Sequence, residues 1–143
     1  FRLKTLLESK GAHVLLCREG DENPSLSDRA EFANQNKPDI FVSVHINSFY
    51  KPHANGTETY YFKNEDKPLA ICLQKSLMKE MDRKDLGVKK ARLYVLRNSD
   101  MPAALVEPLF ITNPEEIKLL STGSYRQRIA NAIFEGITDY FKK

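Results

Sequence analysis

The sequence predicts an α/β fold, a sheet covered by helices. Two observations carry this expectation. Short β-rich runs alternate with stretches of helical period along most of the 143 residues, an order that argues for layered α/β architecture and against a sandwich or a helix bundle. No internal repeat, low-complexity tract or linker interrupts them, so residues 1–143 read as a single domain, long enough to bury a real core.

Leu3, Leu6 and Leu7 recur at helical spacing until Gly11 stops the helix. Residues 13–17 are a short apolar run and read as a strand. Residues 19–24 are polar and turn-rich, a loop. Ser25 followed by Asp28 fits a reciprocal helix cap; Leu26, Ala30 and Ala33 share one side, and the helix ends before Pro38. Residues 40–46 are the clearest strand. Ile40, Val42, Val44 and Ile46 face one way, while Phe41, Ser43, His45 and Asn47 face the other and turn polar towards the C-terminal end.

Residues 49–56 form a loop in which Asn55-Gly56 is most simply a turn, although Asn55-Gly56-Thr57 is also a glycosylation sequon. Residues 57–62 alternate as a strand. Leu69, Leu73, Leu77 and Met81 recur every four residues with Cys72 on the same face, an amphipathic helix. Residues 93–96 and 103–106 read as two further strands. Asn113, Pro114, Glu115 and Glu116 spell a helix start, with a capping Asn, a first-turn Pro and an acidic first turn. Ile129, Ile133, Ile137 and Phe141 stripe the last helix.

Composition narrows the function classes. Hydrophobic residues at 41% against 29% charged favour a globular chain over a disordered one. No apolar run approaches the roughly 18 residues of a membrane span, and Phe1-Arg2-Leu3-Lys4 opens into helical periodicity with no signal peptide. The net charge of +3 is mild, and no basic stripe with interleaved aromatics points to nucleic acid. Cys17 and Cys72 lie in apolar segments, where a buried free thiol is the ordinary state; a disulfide between them would need an oxidising compartment. The chain opens without Met and without a cap on its first helix, which reads as a processed form or a fragment.

Two residues, far apart in sequence, carry the chemistry. In open α/β sheets, sites collect at the carboxyl ends of strands. His45 sits at such an end. So does Glu107, because Pro108 holds it extended and cannot continue a ladder. Beside Leu105 and Val106 its carboxyl lies in low dielectric, which raises its pKa and suits proton transfer near neutral pH. The bland alternatives are a structural, hydrogen-bonded histidine and a strand-end surface charge. His13 would pack at a strand start, His53 would be solvated in its loop, and Arg97 could be a surface cation.

At these residues the chain resembles the zinc-dependent N-acetylmuramoyl-L-alanine amidases often called amidase type 3. The resemblance covers essentially all positions. It rests on an ordered series: Leu26-Ser27-Asp28-Arg29-Ala30 with Asn34, Ser43-Val44-His45-Ile46-Asn47, Gly56-Thr57-Glu58-Thr59-Tyr60-Tyr61, and Leu93-Tyr94-Val95-Leu96-Arg97. Pro102-Ala103-Ala104-Leu105-Val106-Glu107 and Phe110-Ile111-Thr112-Asn113-Pro114-Glu115 complete it.

The resemblance implies a three-layer αβα fold with a mixed, mainly parallel central sheet, here lacking its N-terminal strand. It implies one zinc ion bound by two His and one Glu, with His45 matching the last ligand and Glu107 the catalytic carboxylate, which is not a ligand. Asn47 and Glu58 are expected to support the site wall or contact substrate. The reaction implied is cleavage of the amide between N-acetylmuramic acid and the L-alanine of the stem peptide in peptidoglycan. Export to the periplasm or cell wall and a monomeric state accompany that expectation.

The other two zinc ligands are expected upstream of Phe1, so the segment alone is expected to be inactive. The competing readings are a cell-wall binding or regulatory module that has lost its metal, and a different zinc amidohydrolase or peptidase on a related scaffold.

Overall fold

The computed structural model describes residues 1–142. Helix α1 (Arg2–Glu8) lays Leu3 and Leu7 against the main core, and Arg2 Nη1 donates to Gln127 Oε1 at 2.9 Å. Gly11, at φ +85°, then turns the chain where a side chain would be strained. Residues 13–17 form no strand, contrary to the sequence reading. Their apolar, β-prone composition is not enough: a strand exists only with a ladder partner, none of the four strands of the sheet takes this run as one, and Leu15 remains 41% exposed.

Helix α2 (Leu26–Asn36) starts as expected. Ser25 Oγ accepts from the Asp28 N–H at 3.1 Å, and Asp28 Oδ2 accepts from the Ser25 N–H at 3.0 Å. Ala30 and Ala33 are buried, but Leu26, read as sharing their side, is 49% exposed at the helix edge. Lys37 closes the helix in the left-handed region just before Pro38.

The sheet contains β1 (Phe41–Val44), β2 (Thr57–Tyr61), β3 (Asp85–Lys90) and β4 (Ala103–Glu107), in the order β1-β4-β2-β3. The β1–β4 and β2–β3 pairs are parallel, and β2–β4 between them is antiparallel, so the sheet is mixed and mainly parallel. Strand β3 was not read from the sequence. Its residues, Asp-Leu-Gly-Val-Lys-Lys, carry few apolar side chains, Gly87 sits at φ +80°, and the pairing is broken by a bulge at Thr57/Glu58.

Helices cover both faces. On one, α3 (Lys67–Glu80) and α6 (Gly123–Phe141) bury Leu69, Leu73, Leu77 and Ile133 against Ala104 and Val106. Each such large apolar side chain contributes about 1.5–3 kcal/mol by leaving water. Gly136 permits the close helix contact: a Cβ there would lie 2.8 Å from Leu73 Cα.

On the other face, Val95 and Leu96 pack on Ala103 and Leu105, with Phe41, Tyr60, Phe62 and Leu93 around them. These two residues belong to a one-turn helix α4 (Tyr94–Arg97), not to the strand expected at 93–96. The turn is fixed by Ser99 Oγ donating to Val95 O at 2.5 Å and Asn98 Nδ2 donating to Tyr94 O at 2.8 Å, and packing overrides the β propensity of Leu-Tyr-Val-Leu. Helix α2 packs on α4, and α5 (Pro114–Ser121) starts at the predicted Asn113 cap. Among the described residues, no helix is long and apolar enough to cross a membrane, and both cysteines are free thiols.

Candidate active site

The register of the sheet assembles the site. Ser43 pairs with Leu105 and Val44 with Val106 across the parallel β1–β4 ladder, and the His45 N–H donates to Val106 O at 3.0 Å. One step further, His45 comes level with Glu107, on the face that carries Ser43 and Leu105. In the antiparallel β2–β4 ladder Glu107 is paired with Glu58. His45, Glu107 and Glu58 thus occupy neighbouring register positions across β1, β4 and β2.

Asn47 joins them. Its backbone is locked to the segment after β4, donating to Leu109 O at 2.8 Å and accepting from the Ile111 N–H at 2.7 Å. Its side-chain Nδ2 donates to Glu58 Oε1 at 2.6 Å. Glu58 is 3% exposed and well supplied: Tyr60 Oη donates to the same oxygen at 2.6 Å, and Lys89 Nζ forms an ion pair with Oε2. The loops around the site are tied by Glu116 of α5, 1% exposed, which accepts from the Gly56 N–H at 3.0 Å and the Phe110 N–H at 2.7 Å.

The two facing carboxylates have opposite environments. Burial first, and the charge of Glu58 second, push Glu107 up to about 7. Its Oε2 is buried without a hydrogen-bond partner. Burial, then the positive charges of Arg29 and Arg18, hold His45 below the usual histidine range, so its ring is neutral at pH 7 with a lone pair to offer. Tyr60 stays protonated through burial and its hydrogen bond to Glu58.

The sequence reading named His45, Glu107, Asn47 and Glu58, and the fold brings all four to one strand edge. It missed Tyr60, Lys89 and Glu116. Tyr60 lies two residues beyond Glu58 on the same strand face, a signal that period-2 alternation contained. Lys89 lies on the unread strand β3. His13 and His53 are exposed and outside the cluster, and Asn55 of the predicted turn donates to His53 O at 3.0 Å. A cavity of about 460 Å³ between α2 and α4 is lined by Ser27, Ala30, Glu31, Asn34, Gln35, Tyr94 and Asn98, and includes none of the four.

The His45 ring nitrogen suits a cation in chemistry, and the unpartnered Glu107 oxygen suits a proton. They do not make a complete site: among the described residues, no group of three or more His, Cys, Asp or Glu side chains could hold a metal ion, and a catalytic zinc needs about three protein ligands.

The sequence matches the family profile of N-acetylmuramoyl-L-alanine amidases over residues 1–139. The chain belongs to this amidase family. It is 36% identical over 145 residues to the N-acetylmuramoyl-L-alanine amidase LytC of Bacillus subtilis, covering 99% of this chain and 29% of LytC. It is 42% identical over 145 residues to an uncharacterized cell wall amidase of Bacillus anthracis, covering 90% of this chain and 27% of that protein. The chain therefore spans under a third of the length of these two relatives.

Among solved amidase structures, the catalytic domain of CwlV from Bacillus (Paenibacillus) polymyxa var. colistinus superposes with a TM-score of 0.95 at 31% identity, covering 99% of this chain and 79% of that one. AmiC2 of Nostoc punctiforme gives 0.94 at 35% identity over the same shares. The mixed sheet between helix layers is thus the amidase fold.

Proposed function

We propose that the protein hydrolyses the amide between the lactyl group of N-acetylmuramic acid and the L-alanine of the stem peptide in peptidoglycan. The reading places this activity outside the cytoplasmic membrane, in the periplasm or cell wall, in a monomeric zinc enzyme whose catalytic domain includes residues 1–143. The observation that supports it most is the convergence of His45 and Glu107 at adjacent strand ends, with one Glu107 oxygen buried and free. Membership of the amidase family supplies the bond to be cleaved.

In this reading His45 is one zinc ligand, Glu107 the proton carrier, and Glu58 and Asn47 the support of the site wall. Zinc, when bound, supplies Lewis acidity towards the carbonyl and makes water more acidic. Glu107 takes a proton from the attacking water and returns it to the leaving nitrogen. Burial and the facing Glu58 charge push the Glu107 carboxyl of the metal-free protein up to about 7, towards the range in which a group both takes and gives a proton near neutral pH. Water oxygen bonds to the carbonyl carbon and the C–N bond breaks, leaving a lactyl carboxylate and the free amine of L-alanine. Glu58 has three donors, Asn47 and Tyr60 on one oxygen and Lys89 on the other, which suits it to support the wall and leaves the unpartnered Glu107 as the better proton carrier.

Digestion of purified peptidoglycan by the full-length protein tests the reading. New amino-terminal L-alanine, without new reducing sugar ends, is the expected product. Reducing ends or other new amino termini in its place would reject it.

A further inference from the structure

Beyond Asn47 the chain leaves the sheet and turns apolar side chains outward. Phe49 is 43% exposed and Tyr50 80%, with ring centroids 4.4 Å apart and planes tilted by 40°. Ile111, 49% exposed, lies on the adjoining segment, where its N–H donates to Asn47 O. Neither ring belongs to a core cluster of the fold. The backbone beneath them is nevertheless anchored: the Phe49 N–H donates to Thr112 Oγ1 at 3.2 Å, and Asn113 Nδ2 donates to Ala54 O at 3.1 Å. Contiguous exposed apolar surface beside a site is the kind of patch that marks ligand binding.

We infer that Phe49, Tyr50 and Ile111 form a saccharide subsite that stacks on a pyranose ring of the glycan strand. The inference rests on the proposed substrate and adds where its sugar lies. A pyranose offers a flat face of C–H bonds with hydroxyl groups at its rim, a match for open aromatic rings. In the proposed substrate only a lactyl ether separates the scissile amide from the sugar, so an amide held at His45 and Glu107 brings its ring close to the same strand edge. Phe49 follows His45 by four residues and Asn47 by two. Lys51 Nζ, 5.6 Å from the Tyr50 ring centre, adds a hydrogen-bond donor beside the platform. Three side chains are too small for a stable protein interface, which needs about 800 Å² per partner.

The test uses the full-length protein and peptide-free glycan strands of alternating N-acetylglucosamine and N-acetylmuramic acid, which contain no bond for an amidase to cut. Phe49→Ala with Tyr50→Ala should weaken binding to these strands about tenfold, and should raise KM on whole peptidoglycan while kcat stays near the wild-type value. Tyr50→Phe should bind as the wild type does. If the double variant folds poorly, Tyr50→Ser alone, at the most exposed position, should give a smaller loss in the same direction.

Unchanged glycan binding by folded variants would overturn the subsite, as would a wild type that cleaves peptidoglycan yet ignores the glycan. Concentration-dependent dimers or binding to lipid vesicles, abolished by the same substitutions, would also overturn it. Failure of the amidase reading would show separately, as absent L-alanine termini.

Discussion

Glu58 and Glu107 face each other directly in the antiparallel β2–β4 ladder. Like charges in that position repel. The fold resolves the conflict by treating the two unequally. Glu58 receives Asn47, Tyr60 and Lys89, whereas Glu107 has a buried, unpartnered oxygen and holds its proton up to about 7. Two carboxyl groups on one ladder rung thereby acquire two environments, one supplied with donors and the other without, and in the proposed reaction the second carries the proton.

The order of causes can be tested. Burial is the larger cause of the Glu107 shift and the Glu58 charge the smaller. Glu58→Gln should therefore lower the Glu107 midpoint from about 7 without returning it to the ordinary glutamate value. A side-chain carboxyl NMR titration of metal-free protein reads this. A midpoint unchanged by Glu58→Gln would show that the facing charge has no influence.

The same shift predicts a pH-dependent stability. Glu107 binds its proton more tightly folded than unfolded, so ionisation costs the folded state. The cost is absent below the unfolded value, near pH 4.5, and complete above about 7. In metal-free protein, Glu107→Gln should match the wild type at pH 4 and exceed it by about 1–2 kcal/mol at pH 8, a figure reduced for the half-buried setting of the carboxyl. Chemical denaturation across that range measures it, and parallel curves for the two proteins would contradict it.

If His45 ligates zinc, His45→Ala in the full-length protein should lower metal content on equilibrium dialysis, by about tenfold or more in affinity, with the circular dichroism spectrum unchanged. Equal zinc by elemental analysis would remove His45 from the ligand set.

Glu116 ties the loop before β2 to the segment after β4. Glu116→Gln replaces one acceptor with an NH2 group facing a buried N–H, and should cost about 1–3 kcal/mol. Because both loops border the site, thermal melting should be accompanied by a rise in KM. A variant as stable as the wild type would show that the clamp carries little energy.

What the sequence revealed follows from what each signal depends on. His45 and Glu107 were legible because a strand that turns polar at its end, and a Pro that stops a ladder, are local features. Their shared face follows from period-2 geometry and the parallel register. Residues 13–17 and 93–96 were misread because short apolar runs look alike whether they pair, coil or, as at Val95 and Leu96, wind into a turn that packs on Leu105. Strand β3 escaped because Asp85–Lys90 has little apolar alternation, and with it went Lys89, the partner of Glu58. A full ligand set was never legible, since among the described residues His45 stands at the strand edge without a second imidazole, His13 and His53 both lying elsewhere.

In the proposed reaction Glu107 moves the proton during amide cleavage. Release of amino-terminal L-alanine from purified peptidoglycan, compared between the wild-type full-length protein and Glu107→Gln at equal zinc content, tests it most directly. Glu107→Gln should lose at least about a hundredfold in kcat with the fold and metal retained. Turnover within a few-fold of the wild type would contradict it.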